Sequence, residues 1–373
     1  MKLHLVAGAR PNFMKIAPLW RKLAPHPIIR PSFVHTAQHH DNVMSSVIWG
    51  ELGLPDPDHV LDWRTSAIHG PLAGMMGAYE RLCKTDRPDM VLVVGDVNSS
   101  LAAALVAAEM DIPLIHLEAG LRCLDPTMRE EKNRIAIDHK ADLLLTPSAD
   151  ADDNLLAEGI ADNRIQQVGN IMIDTLMMMQ GAISSHQSAS RFGLVKGGYV
   201  LVTLHRQTNV DDPLMLDRIC DALIELAEHH PVCFPLHPRT EKRLVETGLI
   251  DTLKTAGVRT LPALGYLDFA SLMKDAGLVI TDSGGVQEET SFLGIGCLTL
   301  RPSTERPITI EQGTNRLVST ETLVRTALDT FDEMCRPASI PLWDGQTADR
   351  VVRALEQFGA KQFYFRNRVG ECS

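Results

Sequence analysis

Short runs of β-branched and aliphatic residues alternate with longer amphipathic stretches along nearly the whole chain, and that alternation leaves little choice of architecture. The first series has apolar runs at 3–7, 28–36, 90–94, 113–117 and 143–146, with helical patterns at 13–23, 101–110 and 135–140 between them. A second series has runs at 199–203, 232–236, 259–261, 278–281 and 297–300. Strand, helix and strand in repetition predict βαβ units and parallel sheets covered on both faces. The segment 180–198, rich in Gly, Ser and Ala, reads as a connector or a weak helix plus loop. The expected architecture is α/β, with two doubly wound domains at residues 1–169 and 170–350 and a terminal segment at 351–373.

A chain of 373 residues buries a large core without metal or disulfide staples. Its 36 Lys and Arg against 47 Asp and Glu give a formal net charge of −11. With no Lys/Arg-rich run, that balance argues against nucleic acid or an anionic membrane as partner, while leaving room for a local basic pocket. The seven cysteines are odd in number, scattered and without a C-x-x-C pair, which fits reduced thiols. With no signal-like start and no long apolar stretch, the expected location is the cytoplasm.

In open parallel sheets the ligand sits beyond the carboxyl ends of the strands, and with two such domains the expected site is the cleft between them. After the first strand comes Gly8-Ala9-Arg10-Pro11-Asn12-Phe13-Met14-Lys15, a glycine turn into a helix with two cations close together. It is neither G-x-G-x-x-G nor a Walker A loop, so nicotinamide and ATP lose their best evidence. It reads as a plain turn with solvated cations or as anion recognition.

Further strands end at Gly95-Asp96 and at His116-Leu117-Glu118-Ala119-Gly120. Asp96 is a candidate helix N-cap. Glu118, between an apolar strand and Ala-Gly, is a candidate for a desolvated carboxyl suited to proton transfer. Glu130 and Glu131 open a helix, where acids suit the macrodipole. In the second series, strands end at His205-Arg206, at His237-Pro238 and at Asp282-Ser283-Gly284-Gly285, with Glu288 and Glu289 a turn further on. The Ser-Gly-Gly turn before a helix is the best anion site in the chain, because its glycines admit a phosphate to open N–H groups. His35, His39 and His40 suggest a metal, but without H-E-x-x-H or a cysteine partner no metal site is assigned.

Taken together these motifs, with Val168-Gly169-Asn170, Ile173-Asp174 and Asn133-Arg134, resemble the non-hydrolysing UDP-N-acetylglucosamine 2-epimerases, in order, from the first strand to about residue 317. The resemblance implies a GT-B type fold of two Rossmann-like domains, a homodimer, no cofactor, and a terminal helix near 348–357 that packs back on the first domain. It also implies reversible epimerisation at carbon 2 by elimination of UDP to 2-acetamidoglucal and re-addition. Carried over by motif, Asp96, Glu118 and Glu130 are the catalytic carboxylates, with His205 and Lys15. Arg10, Arg206, His237, Ser283, Gly284, Gly285 and Glu288 hold the UDP-sugar, and Gln38 and His39 belong to an activator site.

Two departures stand out. Arg129 replaces a frequent proline beside Glu130, and Ala67-Ile68-His69-Gly70-Pro71-Leu72 replaces the common Ser-His-Ala-Glu-Gln-Thr. Rival readings are a 2-epimerase of a modified sugar such as UDP-2,3-diacetamido glucuronic acid, a GT-B glycosyltransferase, a hydrolytic relative, and a silent nucleotide-sugar sensor.

Overall fold

The computed structural model describes residues 1–37, 49–64, 70–331, 333 and 335–370. The chain forms two compact units, Met1–Met178 with Pro341–Ser373, and Met179–Ile340. The division falls within the helix Ile171–His186 rather than after residue 169, and the chain rejoins the first unit at Pro341 rather than near 350. The expected connector at 180–198 is largely the end of that helix and a short one, Ser188–Arg191.

The first unit holds a sheet of β1 (Lys2–Ala7), β2 (Arg30–His35), β3 (His59–Val60), β4 (Met90–Val94), β5 (Leu114–Leu117), β6 (Leu143–Thr146) and β7 (Ile165–Gln167). All pairs are parallel, in the order β3-β2-β1-β4-β5-β6-β7. The strand order reverses between β1 and β4, where the crossovers leave in opposite directions and open a crevice at the carboxyl ends. One face packs Met75 and Tyr79 of the helix Pro71–Thr85 and the alanine-rich helix Asn98–Glu109 against Val91, Val93 and Leu144. Each such fully buried large side chain contributes about 1.5–3 kcal/mol.

The helix Arg10–Leu23 carries Pro18 in its interior. Proline has no N–H for the Met14 carbonyl four residues back. The Thr175 hydroxyl donates to that carbonyl instead, at 2.6 Å. The last helix, Thr347–Gly370, packs against the first through Lys22–Asp349 and His26–Glu356. Its opening N–H groups on Thr347 and Ala348 donate to the Asp174 carboxylate at 3.1 and 2.7 Å, so the cap comes from a residue remote in sequence.

The second unit repeats the plan with β8 (Val200–Thr203), β9 (Val232–Pro235), β10 (Arg259–Leu261), β11 (Leu278–Thr281), β12 (Gly296–Leu300) and β13 (Asn315–Val318). Its parallel order is β10-β9-β8-β11-β12-β13, with the reversal between β8 and β11. Leu216, Ile219 and Leu223 of one helix and Leu323 and Ala327 of another cover one face. Leu272, Met273 and Val286 cover the other.

Candidate functional site

Both reversal points carry charged side chains. In the first unit β1 ends at Gly8, where an added Cβ would run into the hydroxyls of Thr36 and Ser99, which bond each other at 2.6 Å. Asn12 holds this turn by accepting from the N–H groups of Gly8 and Ala9 and donating to the Val94 carbonyl of β4. The helix opened by Arg10 then places Lys15 in its second turn. Lys15 Nζ donates to Glu118 Oε2, and both side chains are buried.

Glu118 follows β5 with φ +69°, a left-handed conformation that costs a non-glycine residue about 1–2 kcal/mol. It is pinned there because the N–H groups of Glu118 and Ala119 both donate to the Leu145 carbonyl of β6. Gly95, at φ +64°, lies directly against the pair: a Cβ there would be 3.2 Å from both Lys15 Nζ and Glu118 Oε2.

Asp96 does not cap the following helix, whose N-cap is Val97. Its carboxylate pairs with Arg134, and its carbonyl accepts from Asn133 at 2.8 Å. Of the adjacent acids, Glu131 is buried, pairs with Arg134 and accepts from the N–H groups of Cys123 and Leu124, tying down the loop after β5. Glu130 is exposed in the first turn of the same helix, Arg129–Lys140.

Behind Gly95 runs a buried chain that sequence reasoning missed. His116 bonds the Gly95 carbonyl through Nε2 at 3.0 Å and Asp138 through Nδ1 at 2.6 Å. Asp138 also pairs with Arg122 at 2.8 Å, and Arg122 pairs in bidentate fashion with Glu158. Both ring nitrogens of His116 face acceptors, so both bonds form only when each carries a proton. Burial pushes the Asp138 carboxyl up, but His116 and Arg122 outweigh it and hold the group below the usual carboxylate range. Asp138 follows His116 by 22 residues, and an acid at that distance carries no local signature.

In the second unit the central acceptor is Asp282, fully buried after β11. It takes hydrogen bonds from the backbone N–H groups of His205 and Arg206 and from Asn209 Nδ2, and lies 3.2 Å from His205 Nδ1. That orients the imidazole and leaves Nε2, on the far side of the ring, for a ligand. His237 caps the helix Pro238–Thr247 by accepting from the Arg239 N–H, with its ring centroid 5.3 Å from that of His205. The signal for Asp282 in the sequence is an acid placed immediately after an apolar strand.

The helix Gly284–Leu293 starts beside Arg306, Glu305 and Glu288. Arg306 pairs with Glu288 at 2.6 Å and Glu305 at 2.7 Å, and Arg301 pairs with Glu305 at 2.8 Å. Arg206 reaches Glu305 at 3.4 Å and the Asp282 carbonyl at 2.9 Å. The guanidinium groups of Arg206, Arg301 and Arg306 gather with the Glu288 and Glu305 carboxylates next to a helix N-terminus whose cap, Ser283, makes no side-chain bond to it. Burial draws the Arg301 guanidinium below its usual range. A Cβ on Gly284 would run into Arg306 and Glu305, so glycine is required for this approach. The arrangement suits a phosphate-bearing ligand.

A sequence model of the UDP-N-acetylglucosamine 2-epimerases matches residues 21–356. The chain belongs to this family. It is 39% identical over 364 residues to the UDP-N-acetylglucosamine 2-epimerase of Methanocaldococcus jannaschii, covering 95% of this chain and 99% of that protein. It is 36% identical to the UDP-2,3-diacetamido-2,3-dideoxy-D-glucuronate 2-epimerase of Pseudomonas aeruginosa, over 95% of this chain and 99% of that one. Among solved structures, that of the M. jannaschii UDP-GlcNAc 2-epimerase in complex with UDP-GlcNAc and UDP aligns with a TM-score of 0.86 at 37% identity, over 96% of this chain and 100% of that one. A UDP-GlcNAc 2-epimerase from Neisseria meningitidis bound to UDP-GlcNAc aligns at 0.84 with 28% identity, over 96% of this chain and 100% of that one. The α/β architecture of two parallel sheets expected from the sequence is that of these family members.

Gln38, His39, His40 and His69 lie outside the described residues. His35 packs its ring against Phe13 and Trp49, each at 5.4 Å between centroids, and faces the Ala7 carbonyl. Among the described residues no helix is long and apolar enough to cross a membrane.

Proposed function

We propose that this chain interconverts UDP-N-acetylglucosamine and UDP-N-acetylmannosamine. Family membership supports this, and the observation that carries it to chemistry is the buried Lys15–Glu118 pair beside Gly95-Asp96 at the strand reversal. Carbon 2 of the sugar is not adjacent to a carbonyl, so simple deprotonation and re-protonation is too slow. Elimination solves the problem: the carbon 2 proton goes to a base, the bond from carbon 1 to the diphosphate oxygen breaks, and 2-acetamidoglucal and UDP result. Re-addition of UDP with the proton delivered to the opposite face gives the epimer. Redox balance is unchanged, and no nicotinamide is needed.

Glu118, Asp96 and Glu130 are the proton-transfer carboxylates of this reading. Lys15 pairs with Glu118 in a buried setting. His205, oriented by Asp282, meets the departing diphosphate, with Arg10, Arg206, His237, Ser283, Gly284, Gly285 and Glu288 holding the nucleotide. The active form of this reading is a homodimer in the cytoplasm.

The Pseudomonas aeruginosa relative, whose name specifies a 2,3-diacetamido glucuronate, favours a second reading in which the substrate is a modified UDP-sugar. Chromatography of reactions with each sugar separates them. Turnover of UDP-GlcNAc with the higher kcat/KM supports the proposal. Turnover of the diacetamido glucuronate alone, or a disaccharide product, contradicts it.

A further inference from the structure

At the opposite edge of the first sheet, near the amino end of β1, three side chains from distant parts of the sequence converge. His59 Nε2 of β3 lies 3.0 Å from Asp86 Oδ2, just beyond the helix Pro71–Thr85. His4 Nε2 of β1 lies 4.0 Å from the same oxygen, and all three ligand atoms fall within 4.8 Å of one another. The His4 ring is fully buried, and its Nε2 has no hydrogen-bond partner. Its other nitrogen, Nδ1, faces the Tyr79 hydroxyl at 3.2 Å.

We propose that His4, His59 and Asp86 bind a divalent transition-metal cation of the zinc type, through Nε2 of each imidazole and Oδ2 of the carboxylate, with solvent at the remaining position. The unpartnered Nε2 is the deciding feature. A buried nitrogen facing a carboxylate at 4.0 Å is too far for a hydrogen bond and, without a proton, presents a lone pair to a negative charge. A cation between the two removes that conflict, and separations of 3.0 and 4.0 Å from Asp86 Oδ2 suit ligands each about 2.0–2.2 Å from one ion. The Tyr79 hydroxyl can accept from Nδ1–H, which is the tautomer with Nε2 free to ligate and the usual place of an outer partner. Lys2 Nζ pairs with the other carboxylate oxygen. His59 and Asp86 are only half-buried, which gives an ion access. The bound ion would tie β1, β3 and the end of a helix together, away from the strand ends that carry Glu118.

The full chain, stripped with EDTA, is titrated with zinc chloride by calorimetry. One stoichiometric site is expected, weakened about tenfold or more in His59→Ala and in Asp86→Asn. Zinc is also expected to raise the thermal midpoint of the wild type but not of His59→Ala, while epimerase activity of that variant stays unchanged. Circular dichroism checks that both variants fold; His59 is partly exposed, so its variant carries the test if Asp86→Asn does not. No stoichiometric zinc binding, or binding that survives unchanged in the folded variants, overturns the proposal.

Discussion

Lys15 donates from Nζ to Glu118 Oε2, joining the second turn of the first helix to a residue held at φ +69° after β5. Neither charge has water to fall back on. Removing Lys15 leaves a buried carboxylate whose ionised form is disfavoured.

Glu118→Gln is therefore expected to lower kcat by about 10²–10⁴, the usual range for a proton-transfer group. UDP affinity measured by calorimetry is expected to stay within a few-fold of wild type, because no phosphate contact is removed. Loss of turnover together with loss of UDP binding would show that Glu118 acts in binding instead. Lys15→Met is expected to lower kcat as well.

Gly284→Ala tests the phosphate-binding reading of the second sheet. The added methyl meets the far ends of Arg306 and Glu305, which can give way, so the fold survives while the cradle changes shape. UDP affinity is expected to fall about tenfold or more, the scale of 1.4 kcal/mol, with little change in thermal midpoint. Unaltered affinity would move the anion site elsewhere.

The His116–Asp138–Arg122 chain predicts a particular pH signature. The Asp138 carboxyl sits below its ordinary 3.8 in the folded protein. A depressed carboxyl contributes stability that is complete above the unfolded value and lost as pH falls through the folded one. Asp138→Asn is expected to cost about 3 kcal/mol at pH 7, as breaking a buried ion pair does. Urea melts should show that cost shrinking below about pH 4. A cost independent of pH down to that range would mean that the charge of Asp138 is not what stabilises it.

The long buried strands were legible in the sequence. β1, β4, β5, β6, β8 and β11 are near-continuous apolar runs, because both faces of a parallel sheet are covered. The edge strands β3, β7 and β13 were not, being short, with His59 and Ile165–Gln167 half-buried, Val60 exposed, and burial mixed at Asn315–Val318. The site residues were found through their position after strands. Their division of labour was not, since nothing local separates exposed Glu130 from buried Glu131. Asp282, Asp138 and Asp174 act on residues far away in sequence, and such contacts leave no spacing to read.

The thiols give a further check. Burial pushes Cys220 and Cys233 up to about 12 and Cys83 and Cys297 up to about 11, and raises Cys123. Cys335 is the partly exposed one among the six described. Iodoacetamide at pH 8 followed by peptide mass spectrometry is expected to label Cys335 in the folded protein and the other five only in urea. Prompt labelling of the buried five would contradict the packing around them.

Proton NMR of the protein with UDP-N-acetylglucosamine in D2O, without added metal or nicotinamide, tests carbon 2 chemistry by elimination and re-addition most directly. UDP-N-acetylmannosamine carrying deuterium at carbon 2 of the sugar is the predicted result. Epimer that keeps its original proton at that carbon, or no epimer and no exchange at all, would contradict the account.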